Sequence, residues 1–277
     1  MHKRSRISAL ARLAALFAVL AWSVGPIAVV ALSSFKEPKD IFEIPFRLFF
    51  VPTFDNYRML ARFNPEFFTG LTNSLIVTGF AVLVTLLASF GAGYVFARAK
   101  AAGYKASALF MIVVRMLPPI VVTVPLFPVF NRLALNDTHL VLVLLYAAFY
   151  VSLGAWMMRS FVAQIPIELE EAAAIDGATL WQTLRIVILP LCAQGLVALT
   201  LFVVVFAWNE YVFAMIFTTT EARTAPVVIG EMLSTAEGVK WGAVFAAATI
   251  QLVPVVVVVL ALQRFLIAGL TAGSVKS

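Results

Sequence analysis

The chain has 277 residues, 62% of them hydrophobic and 12% charged, with a formal net charge of +6. Soluble domains are about 45–50% apolar and about 25% charged, so this little charge cannot cover this much apolar side chain in water. The composition points to an all-α polytopic membrane protein and excludes an ordinary soluble fold. The apolar runs are long and continuous, unlike the short alternating segments of a transmembrane β-barrel. The single cysteine, Cys192, excludes an intramolecular disulfide and any cysteine-rich metal site. The two histidines, His2 and His139, are far apart in the chain and suggest no metal cluster. The basic residues lie at the ends of apolar segments, which is a signal of topology and gives no nucleic-acid face.

In chain order, a basic start (residues 1–6) leads into an apolar run at about 7–32. The run is longer than the 7–15 residues of a signal-peptide core and no small-residue cleavage pattern closes it, so it is expected to remain as a transmembrane helix. Residues 33–69 form the longest segment outside the membrane, with Ile41 to Phe50 expected along the interface, where aromatics collect. A second span is expected at about 71–97, followed by a basic loop with Arg98, Lys100 and Lys105. The third, at about 106–130, holds Arg115 and four prolines, Pro118, Pro119, Pro125 and Pro128. Proline removes a backbone bond and kinks a helix. Membrane helices accept this where neighbours or a cavity satisfy the freed groups. The fourth is at about 140–158, the fifth, long enough to tilt or break, at about 186–217, and the sixth at about 241–262, with a tail at 263–277. The expectation is one transmembrane domain of six helices with both ends on the cytoplasmic side. That orientation puts Arg98, Lys100, Lys105, Arg159 and Arg185 inside and leaves only Arg132, Arg223 and Lys240 on the short outer loops.

Between the fourth and fifth spans lies a polar interruption, Glu168 to Pro190, in which Glu168, Glu170, Glu171 and Asp176 gather. Proline suits a first helical turn, and carboxylates suit the positive end of the helix dipole, so a short helix is predicted to start near Pro166. Asp176-Gly177 predicts its stop. Thr179 followed three residues later by Gln182 predicts a capping box and a second short helix. Two such helices with exposed apolar groups form a knob that another protein can grip.

Here the residues carry a family resemblance. Glu171-Ala172-Ala173, three residues, Gly177, nine residues, then Val187-Ile188-Leu189-Pro190 resembles the EAA loop of ABC-importer permeases. Val187 departs from the family's Ile-x-Leu-Pro ending but keeps size and β-branching. The tail AGLTAGSVKS resembles that of the smaller permease subunit of maltose-type carbohydrate transporters, and Gly269, Gly273 and Lys276 are its matching positions. The stretches at Phe54–Tyr57, Arg115–Pro119 and Trp208-Asn209-Glu210-Tyr211 also resemble that family.

The resemblance implies a type I importer permease with a cytoplasmic coupling helix. It implies contacts to an ATPase through Glu168, Glu171, Ala172, Ala173, Asp176, Gly177, Leu189 and Pro190, and tail contacts with the ATPase dimer through Gly269, Gly273 and Lys276. The implied partners are a second permease, two ATPase subunits, an extracytoplasmic substrate-binding protein and the lipid of a bacterial inner membrane. This chain has no Walker A pattern, so it is expected to be a transport subunit without catalytic residues or a cofactor of its own, ATP and Mg being held by the ATPase. The implied cargo is a sugar, oligosaccharide, polyol or sugar derivative. Amino-acid or peptide import by the same machinery is the alternative, and an ion-coupled secondary transporter a more distant one, since no internal repeat stands out.

Polar groups inside apolar spans mark either a path or a packing pair. A charge near a helix centre costs at least about 2.5–3.5 kcal/mol and faces a bundle interior or water. Arg115, Trp208, Asn209, Glu210 and Tyr211 are therefore expected along the substrate path, with an Arg115–Glu210 ion pair, or an arginine reaching for the interface, as the structural alternative.

Overall fold

The structure is a computed structural model that describes residues 2–45, 47–234 and 238–273, with side chains described for these except 2–11, 102, 105 and 266–273. The described elements are helical: α1 (His2–Ser33), α2 (Asp55–Phe63), α3 (Glu66–Arg98), α4 (Ala102–Arg115), α5 (Pro119–Arg132), α6 (His139–Val162), α7 (Glu168–Ile175), α8 (Leu180–Gln182), a π-turn (Thr183–Ile188), α9 (Leu189–Leu191), α10 (Ala193–Trp208), α11 (Val212–Phe217), α12 (Ala225–Met232) and α13 (Trp241–Gly273), with a 3-10 turn at Pro38–Asp40. By length and composition four of these are able to cross a membrane, or up to six if each of two bent pairs counts as one span.

The bent pairs correct one sequence expectation and sharpen another. The third span is not one kinked helix: α4 and α5 meet at 96°. Pro118 and Pro119 explain the corner, because a residue that precedes proline is pushed out of the helical region, and Pro118 sits at ψ 137°. Pro119 then opens α5, where a missing N–H costs nothing. The fifth span is broken at both ends. The segment Leu180–Leu191 meets α10 at 74°, and α10 stops at Trp208, before α11. The sixth helix runs on through Gly273, past the expected end at Leu262.

The chain divides into two compact units, residues 1–68 with 228–253, and 69–227 with 254–277. In the first, Asn56 is the organiser. Its fully buried amide donates to the carbonyls of Ser34 (2.9 Å) and Lys36 (2.7 Å), which fastens α2 to the end of α1. A Cβ at Gly242 would collide with that same amide, so only glycine lets α13 approach α2 here. Phe42 packs edge-on against Trp241, which holds part of the expected interfacial stretch on the start of α13.

In the second unit α6 is the central post. Val141, Leu142, Ala155, Met158 and Val162 are fully buried along it. In lipid, apolar burial between helices supplies little drive, and close packing through small residues takes its place. Gly154 admits the Ser89 hydroxyl, and a Cβ on Gly93 would meet Met158 Cβ at 2.5 Å and the Arg159 backbone nitrogen at 2.8 Å. So α3 and α6 touch backbone to backbone, and α3 is fixed to the post near its C-terminus.

At the N-terminal end of α6 one carboxylate organises a loop. Asp137, in a left-handed conformation (φ 59°), accepts from the backbone N–H groups of Thr219, Thr220, Glu221 and Ala222 at 3.0–3.1 Å and from the Thr219 hydroxyl at 2.9 Å. Its own N–H donates to the Phe217 carbonyl at 2.8 Å. Asn73 adds bonds to the carbonyls of Glu221 (2.8 Å) and Arg223 (2.9 Å), and its oxygen lies 2.8 Å from His139 Nε2. Partial burial pushes the Asp137 carboxyl up, but the backbone donors outweigh it and hold the group well below the usual carboxylate range. A lowered value means that the clasp is at full strength above the ordinary carboxylate pKa of about 3.9 and weakens only as pH falls through the lowered one. Amide protection at 219–222, corrected for intrinsic exchange, is therefore expected to stay constant from pH 8 to pH 5. Asp137→Ala should speed that exchange about tenfold or more, since bonds to a charged acceptor contribute about 1.5–3 kcal/mol. Unchanged exchange would remove the clasp from this account.

Candidate functional site

The segment Glu168 to Pro190 folds as its local signals direct. Glu168, Glu170 and Glu171 occupy the first turn of α7. The helix ends in a Schellman motif: Gly177 N–H donates to Ala174 O at 3.1 Å and Ala178 N–H to Ala173 O at 2.9 Å, with Gly177 at φ +83°. Thr179 and Gln182 form the capping box of α8, the Gln182 side chain accepting from Thr179 N–H at 2.7 Å. The chain then widens into the π-turn at Thr183–Ile188. A proline ring collides with the carbonyl four residues back, so Pro190 disfavours regular α-helix at Ile186, and the wide turn is the local solution. Thr183 and the fully covered Ile188 root the segment in the bundle.

This is a folded elbow with its backbone groups satisfied at each bend and its side chains turned outward. Glu168, Glu171, Ala172, Asp176, Gly177, Leu189 and Pro190 are exposed, and Ala173 is half-buried. Leu180, Trp181 and Ile186 are also exposed, at 61%, 70% and 69%, so the outward face mixes acid with large apolar groups.

One carboxylate faces the other way. Glu170 accepts from Tyr94 hydroxyl at 2.8 Å and from Arg98 Nε at 2.7 Å, and a second guanidinium nitrogen of Arg98 lies 2.7 Å from the same oxygen. Arg98 also donates to Ile165 O at 2.9 Å. The sequence reading counted Glu170 with its neighbours and gave Arg98 to a basic loop. Their sequence separation of 72 residues gives no local signal of this contact.

The residues expected along a substrate path do not converge. Arg115 stacks over Phe149 (5.4 Å) and Phe202 (5.5 Å) and lines a cavity of about 220 Å³ with Phe110, Leu145, Ser152 and Phe213. Trp208 lines a different cavity, of similar volume, with Thr78, Val204 and Pro254. Asn209 donates to Val205 O at 2.7 Å, and Glu210 accepts from the N–H groups of Phe213 (2.9 Å) and Ala214 (3.2 Å). Among the described residues no Arg115–Glu210 ion pair forms, because Glu210 serves as the N-terminal cap that lets the chain restart as α11. Tyr211 stands half-exposed at that restart. Gly269 and Gly273 lie in the last turns of α13, and Lys276 lies outside the described residues.

Comparison with known proteins adds the decisive observation. Residues 86–271 match the family described as "binding-protein-dependent transport system inner membrane component". The chain belongs to this family. The permease is 36% identical over 226 residues to the trehalose/maltose transport system permease protein MalG of Thermococcus litoralis, covering 81% of each chain. It is 32% identical over 225 residues to the diacetylchitobiose uptake system permease protein DasC of Streptomyces coelicolor, again covering 81% of each. Its fold superposes with a TM-score of 0.76, at 22% identity, on a chain of a bacterial ABC transporter involved in the import of alginate, covering 94% of this chain and 97% of that one. The protein is thus a multi-pass inner-membrane permease of a binding-protein-dependent ABC importer, a transport subunit. The whole elbow and both close contacts of α3 with α6 fall inside the matched region.

Gly177 supplies a direct check on the elbow. A side chain at φ +83° costs about 1–2 kcal/mol. Gly177→Ala should therefore speed exchange of the amides at 177 and 178 about 5–30-fold, while Gly177→Asn does so less. Equal protection in wild type and Gly177→Ala would show that the Schellman stop is absent from the membrane-embedded protein.

Proposed function

We propose that the elbow Glu168–Pro190 is the cytoplasmic coupling element of this permease, gripped by an ATPase subunit that binds and hydrolyses ATP with Mg. The observation that carries this reading is the elbow's geometry. Its bends are closed by backbone and capping bonds, so it is rigid, yet its outward face leaves acidic and large apolar side chains without cover. A rigid protrusion of that kind suits a groove with basic and apolar walls. The exposed Glu171 pairs with a basic residue there, and the small Ala172 and Ala173 permit close approach.

Both termini then lie in the cytoplasm, in keeping with the distribution of Lys and Arg. A second permease completes the translocation path, two ATPases sit beneath, and the binding protein delivers cargo from the opposite side. The end of α13 with Gly269 and Gly273 reaches toward the ATPase pair, and Lys276 follows them in the sequence as a further tail contact. ATP binding closes that pair, the elbow follows, and the helices rock between inward- and outward-facing states. The cargo is a sugar, oligosaccharide or sugar derivative, a reading supported by relatives named for trehalose, maltose and diacetylchitobiose. Trp208 offers a face for a sugar ring on one of the cavities described above and Arg115 a cation on the other, and the exposed Tyr211 offers a second ring face.

The test is to purify the assembled importer and measure ATP hydrolysis against a panel of binding proteins loaded with sugars, amino acids or peptides. Stimulation by a sugar-loaded binding protein is expected. Stimulation by an amino-acid-loaded one alone would replace the cargo assignment. Glu171→Lys and Gly177→Pro should abolish uptake while the protein still inserts in the membrane. Normal uptake in either variant, or failure of any ATPase to co-purify with wild type, would sink the coupling reading.

A further inference from the structure

We propose that Glu170 and Arg98, with Tyr94, are positioning residues that transmit movement of the elbow into α3. The inference rests on the coupling reading above and deepens it. On the N-terminal side the elbow joins α6 only through residues 163–167, which lie outside both helices. By itself such a joint lets α7 swivel when the elbow is pulled. The Glu170 carboxylate closes the swivel. It sits on α7 between the exposed Glu168 and Glu171 but points inward, with 11% of its side chain exposed, and Arg98 is covered almost as well at 18%.

The contact is built as a brace. Arg98 grips one Glu170 oxygen with two nitrogens at 2.7 Å, and Tyr94 holds the other oxygen at 2.8 Å. The bond from Arg98 to Ile165 O ties the joint itself to the same guanidinium. An exposed ion pair would add little and slip readily. A covered ion pair with a hydroxyl donor on the second oxygen resists rearrangement, because separating the charges leaves each of them desolvated and unmatched. The force also has a continuation. Arg98 is the last residue of α3, and one turn earlier Gly93 lets α3 lie directly on the α6 backbone at Met158 and Arg159. Movement of α7 therefore displaces the base of α3 together with the post it packs on. The route through Leu189-Pro190 serves the other end of the elbow.

The experiment uses the whole importer, reconstituted in liposomes with its partner permease, ATPases and binding protein. A bimane fluorophore is placed at Thr69→Cys, the far end of α3, on the permease before assembly, where the native Cys192 is buried and leaves the label to the introduced thiol. The probe is Mg-ATP with vanadate, which traps the ATPase closed whatever the cargo. In the otherwise wild-type protein, trapping is expected to shift the bimane emission. Glu170→Gln and Arg98→Met should shrink that shift at least fivefold while the amount of trapped nucleotide and of co-purified ATPase stays the same. Arg98→Lys should retain about half of it, and the double variant should be no worse than either single one. Tyr94→Phe, which removes one bond only, should lose about half, and it carries the test if the charge variants fail to insert.

A full shift in Glu170→Gln, or no shift in wild type despite trapped nucleotide, overturns the brace and leaves the coupling reading standing. Loss of ATPase binding in Glu170→Gln overturns it too, by moving Glu170 to the docking face. A wild-type complex that holds no ATPase overturns both.

Discussion

A helix in lipid, or at its edge, can stop only where something takes up the backbone groups it frees, and several breaks among the described residues meet that constraint each in its own way. At 116–118 the following prolines have no N–H to satisfy. At Gly177 the Schellman bonds close the last carbonyls. Before Pro190 the π-turn widens the helix instead of ending it. At 209–211 the Glu210 side chain replaces a missing carbonyl, and beyond α11 the Asp137 carboxylate gathers four N–H groups at once. The breaks are where the protein departs from a plain bundle, and they are also where its polar side chains are used.

Two ends of α6 show the consequence. Its 24 residues span roughly 36 Å. At one end Asp137 and Asn73 hold residues 217–223 to the starts of α6 and α3. At the other, Arg98 and Tyr94 hold α7 to the end of α3. Between them lie the glycine contacts of α3 with α6. The same pair of helices is therefore clamped at both ends and in the middle, and a displacement applied to one end is not dissipated in loops.

Much of this was legible beforehand because it is local. Pro166, the first-turn carboxylates, Gly177 and the Thr179–Gln182 spacing act within four or five residues, so the sequence determined the elbow's two helices and their stop. The hydropathy runs announced the membrane class, and the proline cluster announced trouble in the third span, though not a corner of 96°. The Arg115–Glu210 ion pair, offered as the structural alternative, does not form, for an instructive reason. A carboxylate in an apolar run invites a search for a distant cation, but the nearest needy groups were the N–H donors three and four residues ahead, and Arg115 found aromatic faces instead.

By itself, then, the sequence determined the all-helical membrane class, the acidic elbow and its bends, since hydrophobicity, capping and proline chemistry operate along the chain. Only the tertiary structure decided which carboxylate faces the bundle and which residues share a cavity. Glu170 meets Arg98, and Asp137 meets residues 219–222, across 72 and 82–85 positions. Adjacent acids on one helix turn, such as Glu170 and Glu171, are chemically identical until packing turns one inward and leaves the other exposed.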